Sequence, residues 1–179
     1  MSQCFSENLL AGKVAFVAGG TRGINLGIAK AFACAGARVA VIGRDAERAA
    51  AAQADIEQAS GESALGMSCD VRDYAAVETA IKTTAEAFGK IDILVSGAAG
   101  NFFSPIVGLS ANAFKTVVDI DLIGTFNVFR ASFDYLTKPG ASLIAITAGQ
   151  AEHAVPFQAH AAAAKAGVNM LTKTLAVEW

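Results

Sequence analysis

The sequence predicts an α/β fold, a doubly wound parallel sheet with helices on both faces, and three observations carry that expectation. Short runs that are apolar throughout recur along the chain, the mark of strands buried on both faces. Longer stretches with helical apolar spacing fill the intervals between them. Glycines stand at the junctions, most densely in KVAFVAGGTRGINLGIAKAFACAGARVAVIGRD, residues 13–45.

In chain order, residues 1–12 carry no strong pattern. Val14–Ala18 reads as the first strand, broken at Gly19-Gly20. A helical pattern follows Gly23, with Ile24, Ile28, Ala31, Phe32 and Ala35 on one side, and Gly36 stops it. Residues 38–42 form the second strand, so the stretch is a right-handed strand–helix–strand crossover. Residues 45–60 are an alanine-rich helix closed by Gly61, and residues 64–69 a third strand. Tyr74–Phe88 is a helix with Val77, Ile81, Ala85 and Phe88 in register, closed by Gly89. Asp45 and Asp73 are placed to cap these two helices. Residues 91–96 make the fourth strand and residues 111–136 one long helical region. After a turn at Pro139-Gly140, residues 143–147 make the fifth strand, and a last alanine-rich helix runs over residues 158–179. The expected strand order is 3-2-1-4-5.

A chain of 179 residues, 54% hydrophobic and 17% charged, reads as one compact domain spanning residues 1–179. A net charge of −2 gives no reason to expect a nucleic-acid partner. Cys4, Cys34 and Cys69 are too scattered for zinc or redox pairing and read as free thiols in a reducing compartment. His153 and His160 lack metal-ligand partners at useful spacing, so no metal is expected. No stretch has membrane-spanning length, and Lys13 splits the one apolar region near the polar N-terminus. A cytoplasmic protein is the default expectation.

Chemistry concentrates at the strand ends. The glycine turn after the first strand lets backbone approach a pyrophosphate, which would rest on free N–H groups at the helix start. The alternative is a turn that needs positive φ at one glycine. At the end of the second strand an acidic residue would bind the free ribose hydroxyl of NAD, whereas Arg44 offers a cation suited to a 2′-phosphate. Arg48 and Arg22 could add contacts. Each arginine alone reads equally as solvated surface; their convergence at one expected spot points to NADPH, with Asp45 as the competing signal.

Gly19, Gly23 and Gly27 fall at intervals of four. This spacing resembles the loop of the short-chain dehydrogenase/reductase family, T-G-x-x-x-G-I-G, with Ala18 for the threonine and Asn25 for the last glycine. Asn25 tolerates the backbone but narrows the space beneath a pyrophosphate. The resemblance implies a Rossmann-type sheet and cofactor contacts at Gly19, Thr21, Arg22, Gly23 and Ile24. Asp70-Val71 resembles the family's adenine-contacting pair, or is simply a helix approach. Residues 96–100, Ser-Gly-Ala-Ala-Gly, resemble its N-N-A-G segment, with Ala98 beside the nicotinamide ribose. Family members continue for further strands and a substrate loop, so the resemblance implies C-terminal strands beyond Trp179.

Ordinary members carry an Asn, a Ser, and a Tyr four residues before a Lys. Lys165 matches the lysine, while Ala161, Ala148 and Asp121 occupy the tyrosine, serine and asparagine positions. A side chain without a proton cannot be the acid in carbonyl reduction. The pattern resembles the 2,4-dienoyl-CoA reductases, which lack that tyrosine and whose peroxisomal-type members have an Asp where Asp121 stands. They also share A-A-G-N-F (residues 98–102), D-I-D-x-x-G-T-F-N (119–127), A-K-A-x-V (164–168) and L-A-V-E-W (175–179). This resemblance implies NADPH-dependent reduction of an unsaturated acyl-CoA, with Lys165 on the nicotinamide ribose and Asp121 ordering a water together with Asn169, which stands where those enzymes have an Asp. Arg72, Asn101 and Phe102 would meet the substrate. It also implies a homo-oligomer, dimer or tetramer, and a peroxisomal location in a eukaryote. Asp121 as a buried structural carboxylate, Asn169 as an exposed helix residue and Phe102 as plain core stay open. So do a reductase of another conjugated carbonyl and an inactive nucleotide-binding subunit.

Overall fold

A computed structural model describes residues 8–179, so Cys4 lies outside the described residues. Five parallel strands form one sheet in the order β3-β2-β1-β4-β5: β1 Val14–Ala18, β2 Arg38–Gly43, β3 Ala64–Ser68, β4 Ile93–Ser96 and β5 Ser142–Ala145. Between them run α1 (Gly23–Cys34), α2 (Ala46–Ser60), α3 (Tyr74–Phe88), α4 (Ala111–Val118) and α5 (Gly124–Ser132), and α6 (Ala159–Glu178) follows β5. The order reverses beside β1, where β2 pairs on one side and β4 on the other. Ligands of open α/β sheets bind at that switch point, outside the carboxyl ends of the strands.

Every residue of β1 is buried, as its unbroken apolar run requires. Its side chains divide between two cores. Phe16 joins Ile42, Ile81, Leu94 and Phe129 on the face covered by α3 and α5, and Val17 joins Ala29, Ala33, Val41 and Ile56 on the face covered by α1 and α2. Asp45 and Asp73 do cap α2 and α3, accepting from the Arg48 and Ala76 backbone N–H groups at 3.0 and 3.1 Å. Gly61 closes α2 in the left-handed region.

The structure departs from the sequence expectation at four places. The face of α1 against the sheet is Ala29 and Ala33, not the stripe containing Ile24 and Ala31; small side chains let the helix axis approach, and Ile24 is left 78% exposed. β4 begins at Ile93 because Ile91 bridges Leu136, donating to the Tyr135 carbonyl at 2.9 Å. β5 is shifted toward its N-terminus, matching the short β4 residue for residue from Ile93↔Ser142 to Ser96↔Ala145. The helical region over residues 111–136 is not one α-helix. A π-helical turn, Asp119–Ile123, divides α4 from α5, and a 3₁₀ turn follows α5. Such turns insert a residue into the α ladder and re-aim the side chains around it.

Candidate functional site

A cleft of about 930 Å³ opens at the carboxyl ends of β1, β2 and β4. Gly19, Thr21, Arg22, Gly23 and Ile24 form one wall, Arg44 and Arg48 the far end, Asp70 and Val71 a side, and Gly97, Ala98 and Ala99 the opposite shelf. The cleft is large enough for a dinucleotide. Gly19 has φ of +75°, and a Cβ there would lie 2.7 Å from the backbone of Ala98. Only glycine therefore lets the turn and the shelf meet, the close backbone approach that a phosphate-binding turn needs.

Asn25 reaches across the same junction. Its Nδ2 donates to the Gly97 carbonyl at 2.7 Å and lies 3.4 Å from the Gly19 carbonyl. A Cβ on Gly97 would fall 2.4 Å from the Asn25 Oδ1. The two departures from the family pattern are thus one coupled feature: the asparagine comes from the helix start and the glycine from the strand end. The carboxamide ties the turn to β4 as well as narrowing the space beneath the turn.

At the arginine end, Asp45 is turned to its own helix as the α2 cap, and Arg48 Nε lies 3.4 Å from its Oδ2. Arg22 and Arg44 are exposed along the cleft, and no hydrogen bond from either side chain is seen among the described residues. Arg72 does not line the cleft. Its guanidinium holds Asp70 in a two-pronged pair, with Nη2 2.6 Å from Oδ2, and keeps that carboxyl below the usual carboxylate range.

Beyond the shelf lies a second group of polar residues, buried where the π turn, α6 and residues 100–102 meet. Asp121 is 1% exposed, and its Oδ1 accepts from the Gly100 N–H at 2.7 Å. Its Oδ2 lies 3.4 Å from Lys165 Nζ, which donates to the Ile146 carbonyl at 2.9 Å. Ile146 lines the inner end of the cleft, so Lys165 stands just behind it. Burial pushes the Asp121 carboxyl above the usual carboxylate range, against the opposing pull of the Gly100 N–H, Lys165 and His160. Ser96 Oγ donates to Thr125 Oγ1 at 3.0 Å, and Thr125 Oγ1 donates to the Asp121 carbonyl at 2.6 Å, fixing the π turn to β4.

Ala161 is 1% exposed, so no acidic side chain occupies the turn of α6 that precedes Lys165. Asn169 is half-buried one turn beyond Lys165, and no hydrogen bond to its side chain is seen among the described residues. Asn101 donates to Gln158 Oε1 at 2.6 Å, and Phe102, 42% exposed, meets His160 edge-on with ring centroids 4.4 Å apart. The structure thus gathers Asp121, Lys165, Asn101 and Phe102 around α6 and leaves Arg72 with Asp70. His160 and Gln158 join this group although the sequence reading passed over both. The signal available for His160 was its place one residue before Ala161.

The short-chain dehydrogenase family model matches residues 13–179, and the chain belongs to that family. Among its relatives, the chain is 44% identical over 174 residues to the peroxisomal 2,4-dienoyl-CoA reductase of Saccharomyces cerevisiae, covering 96% of this chain and 60% of that protein. It is likewise 44% identical over 176 residues to the peroxisomal 2,4-dienoyl-CoA reductase of Rattus norvegicus, again covering 60% of that protein. The chain therefore spans about 60% of the length of these relatives. Among solved structures it is similar to the citronellol catabolism dehydrogenase of Pseudomonas aeruginosa, with a TM-score of 0.92 at 32% identity, covering 100% of this chain and 73% of that one. It is also similar to a short chain dehydrogenase from Bacillus anthracis, with a TM-score of 0.87 at 41% identity, covering 94% and 70%.

Proposed function

We propose that this chain carries the cofactor cleft and the proton-handling pocket of an NADPH-dependent reductase of 2,4-dienoyl-CoA thioesters. The observation that carries the reading is the buried Asp121–Lys165 pair beside a vacant acid position at Ala161. Direct reduction of a carbonyl needs an acid where the new hydroxyl forms. Reduction of a conjugated thioester does not, because charge runs through the diene to the thioester oxygen and the proton is delivered to carbon. The relatives' names supply the substrate class.

When bound, the nicotinamide supplies hydride to the far end of the diene. The chain's own residues do the rest. Arg44, with Arg22 and Arg48, receives the 2′-phosphate, and the N–H groups from Thr21 to Ile24 receive the pyrophosphate, those of Gly19 and Gly20 being bonded to the Ile42 carbonyl. Asp70 and Val71 flank the adenine, and Ala98 lies against the nicotinamide ribose. Lys165 contributes hydrogen bonds to that ribose and positive charge near the developing enolate. Asp121, with Asn169 further along α6, orders the water that protonates the α-carbon, giving a product with its double bond one place along. Asn101 and Phe102 border the acyl chain; Arg72 reaches acyl-CoA only by releasing Asp70.

Among the described residues no helix is long and apolar enough to cross a membrane. Phe126 on α5, Met170 on α6 and Trp179 just past the end of α6 are 45%, 62% and 44% exposed, and we read these helices as the contact of a homo-oligomer, dimer or tetramer. The location is peroxisomal in a eukaryote and cytoplasmic otherwise. The test is loss of NADPH absorbance on adding a 2,4-dienoyl-CoA. Turnover with formation of a 3-enoyl product supports the reading. Turnover of a free enone but not the thioester points to another reductase, and NADPH binding without turnover of either points to an inactive subunit.

A further inference from the structure

His160 is completely buried at the start of α6, and neither ring nitrogen has a hydrogen-bond partner. Among the described residues no other side chain has two such atoms. An imidazole always carries at least one N–H, and in its neutral form the second nitrogen is an acceptor. Buried polar groups are otherwise almost always paired, so the ring is placed for partners that the chain itself does not provide.

Its surroundings say which partners. The Gly100 N–H is bonded to Asp121, and Phe102 two residues later covers the imidazole. Gln158, which holds Asn101, sits two residues before His160, just ahead of α6. One short segment therefore touches both Asp121 and His160. The ionisable groups of this pocket are Asp121 from the π turn and Lys165 from α6, 3.4 Å apart; residues 100–102 and Gln158 contribute neutral groups. Gly100 on Asp121 and Phe102 on His160 bring the two side chains to one short segment of backbone.

We propose that His160 is a proton-handling residue of this site, holding with Asp121 a buried water that protonates the substrate α-carbon. The proposal rests on the dienoyl-CoA reading above. In the step, a water O–H breaks as the α-C–H forms, and the water regains its proton from the imidazolium N–H. The neutral ring is reprotonated from solvent between turnovers. His160 acts through the water and is a positioning residue in that sense, not a group in contact with the acyl chain.

The experiment compares the protein with His160→Phe and His160→Gln, each checked for cooperative folding and unchanged NADPH affinity. His160→Phe keeps the ring packing against Phe102 and removes both nitrogens; kcat with a 2,4-dienoyl-CoA should fall on the order of a hundredfold, with KM little changed. His160→Gln should recover part of that loss and abolish the dependence of kcat on the ring's ionisation in its pH profile. Should His160→Phe not fold, His160→Gln alone decides the matter through the pH profile. Full activity in either variant, or an unaltered pH profile in the glutamine variant, overturns the proposal. A readout independent of turnover is nitrogen NMR of the ring. The N–H should exchange with a bound water, and Asp121→Asn should weaken that water contact. If the unmodified protein turns over no dienoyl-CoA, the reductase reading fails, and the NMR still decides whether His160 holds the water. A ring with no water contact, or a water contact indifferent to Asp121→Asn, overturns the proposal.

Discussion

The cofactor cleft and the pocket behind it are built in different ways from one sheet edge. The cleft is made mostly of backbone: Gly19 meets Ala98 at contact distance, and free N–H groups at the start of α1 face the opening. The pocket is made of buried side chains, Asp121, His160 and Lys165, delivered by a π turn and by α6. Backbone sites tolerate side-chain change wherever the turn survives. Side-chain sites in a dry interior do not, because each charge or polar atom relies on a named partner.

The largest expected effect separates the two. Lys165→Ala should reduce turnover on the order of a hundredfold or more, since on the proposed reading it removes both a ribose contact and a positive charge. Ala161→Ser, one turn away, should leave turnover within a small factor because no acid is needed there. Equal losses from both would mean that the tyrosine position still has a role, and the pocket would not be the side-chain device described.

A second test asks whether the cleft has its own side-chain dependence. Gly97→Ala forces a Cβ into the Asn25 carboxamide and should weaken folding or NADPH binding by about 1–3 kcal/mol, the scale of overpacking. Asn25→Gly in the same chain should restore much of the loss, giving a non-additive double-mutant cycle. Additive effects would show that the two residues do not act as a pair.

Cofactor choice sharpens the comparison at the far end of the cleft. Arg44→Asp should cost NADPH roughly 1–3 kcal/mol of binding and NADH much less, as expected for a charge-assisted contact. An unchanged preference in titrations of both nucleotides would remove Arg44 from the 2′-phosphate site.

The smallest effect is in stability. Burial raises Asp121 above the usual carboxylate range in the folded chain. Below the ordinary carboxylate value both folded and unfolded chains hold that proton. As pH rises from there toward the raised value, the unfolded chain ionises first, so this group's contribution to stability falls. Asp121→Asn should remove that downward component, seen as a difference between the two chains in urea midpoints measured from acid to neutral pH. Parallel pH curves would contradict it.

Local signals were enough to place β1, α2, α3 and the glycine turn, because apolar runs, capping aspartates and positive-φ glycines act over a few residues. Val14–Ala18 and Tyr74–Phe88 were legible to the residue for that reason. The strand order also followed from pattern, since alternating strands and helices with right-handed crossovers leave few alternatives. What only the tertiary structure decided were contacts between distant segments. Ile91 left the sheet for Leu136, Ala29 and Ala33 rather than Ile24 faced the strands, and a π turn replaced the middle of a long helix. The pairing of Asn25 with Gly97 and the isolation of His160 belong to the same class. Ile91 and Asn25 meet partners tens of residues away in sequence, at positions set by packing, which no local period of two or 3.6 residues records.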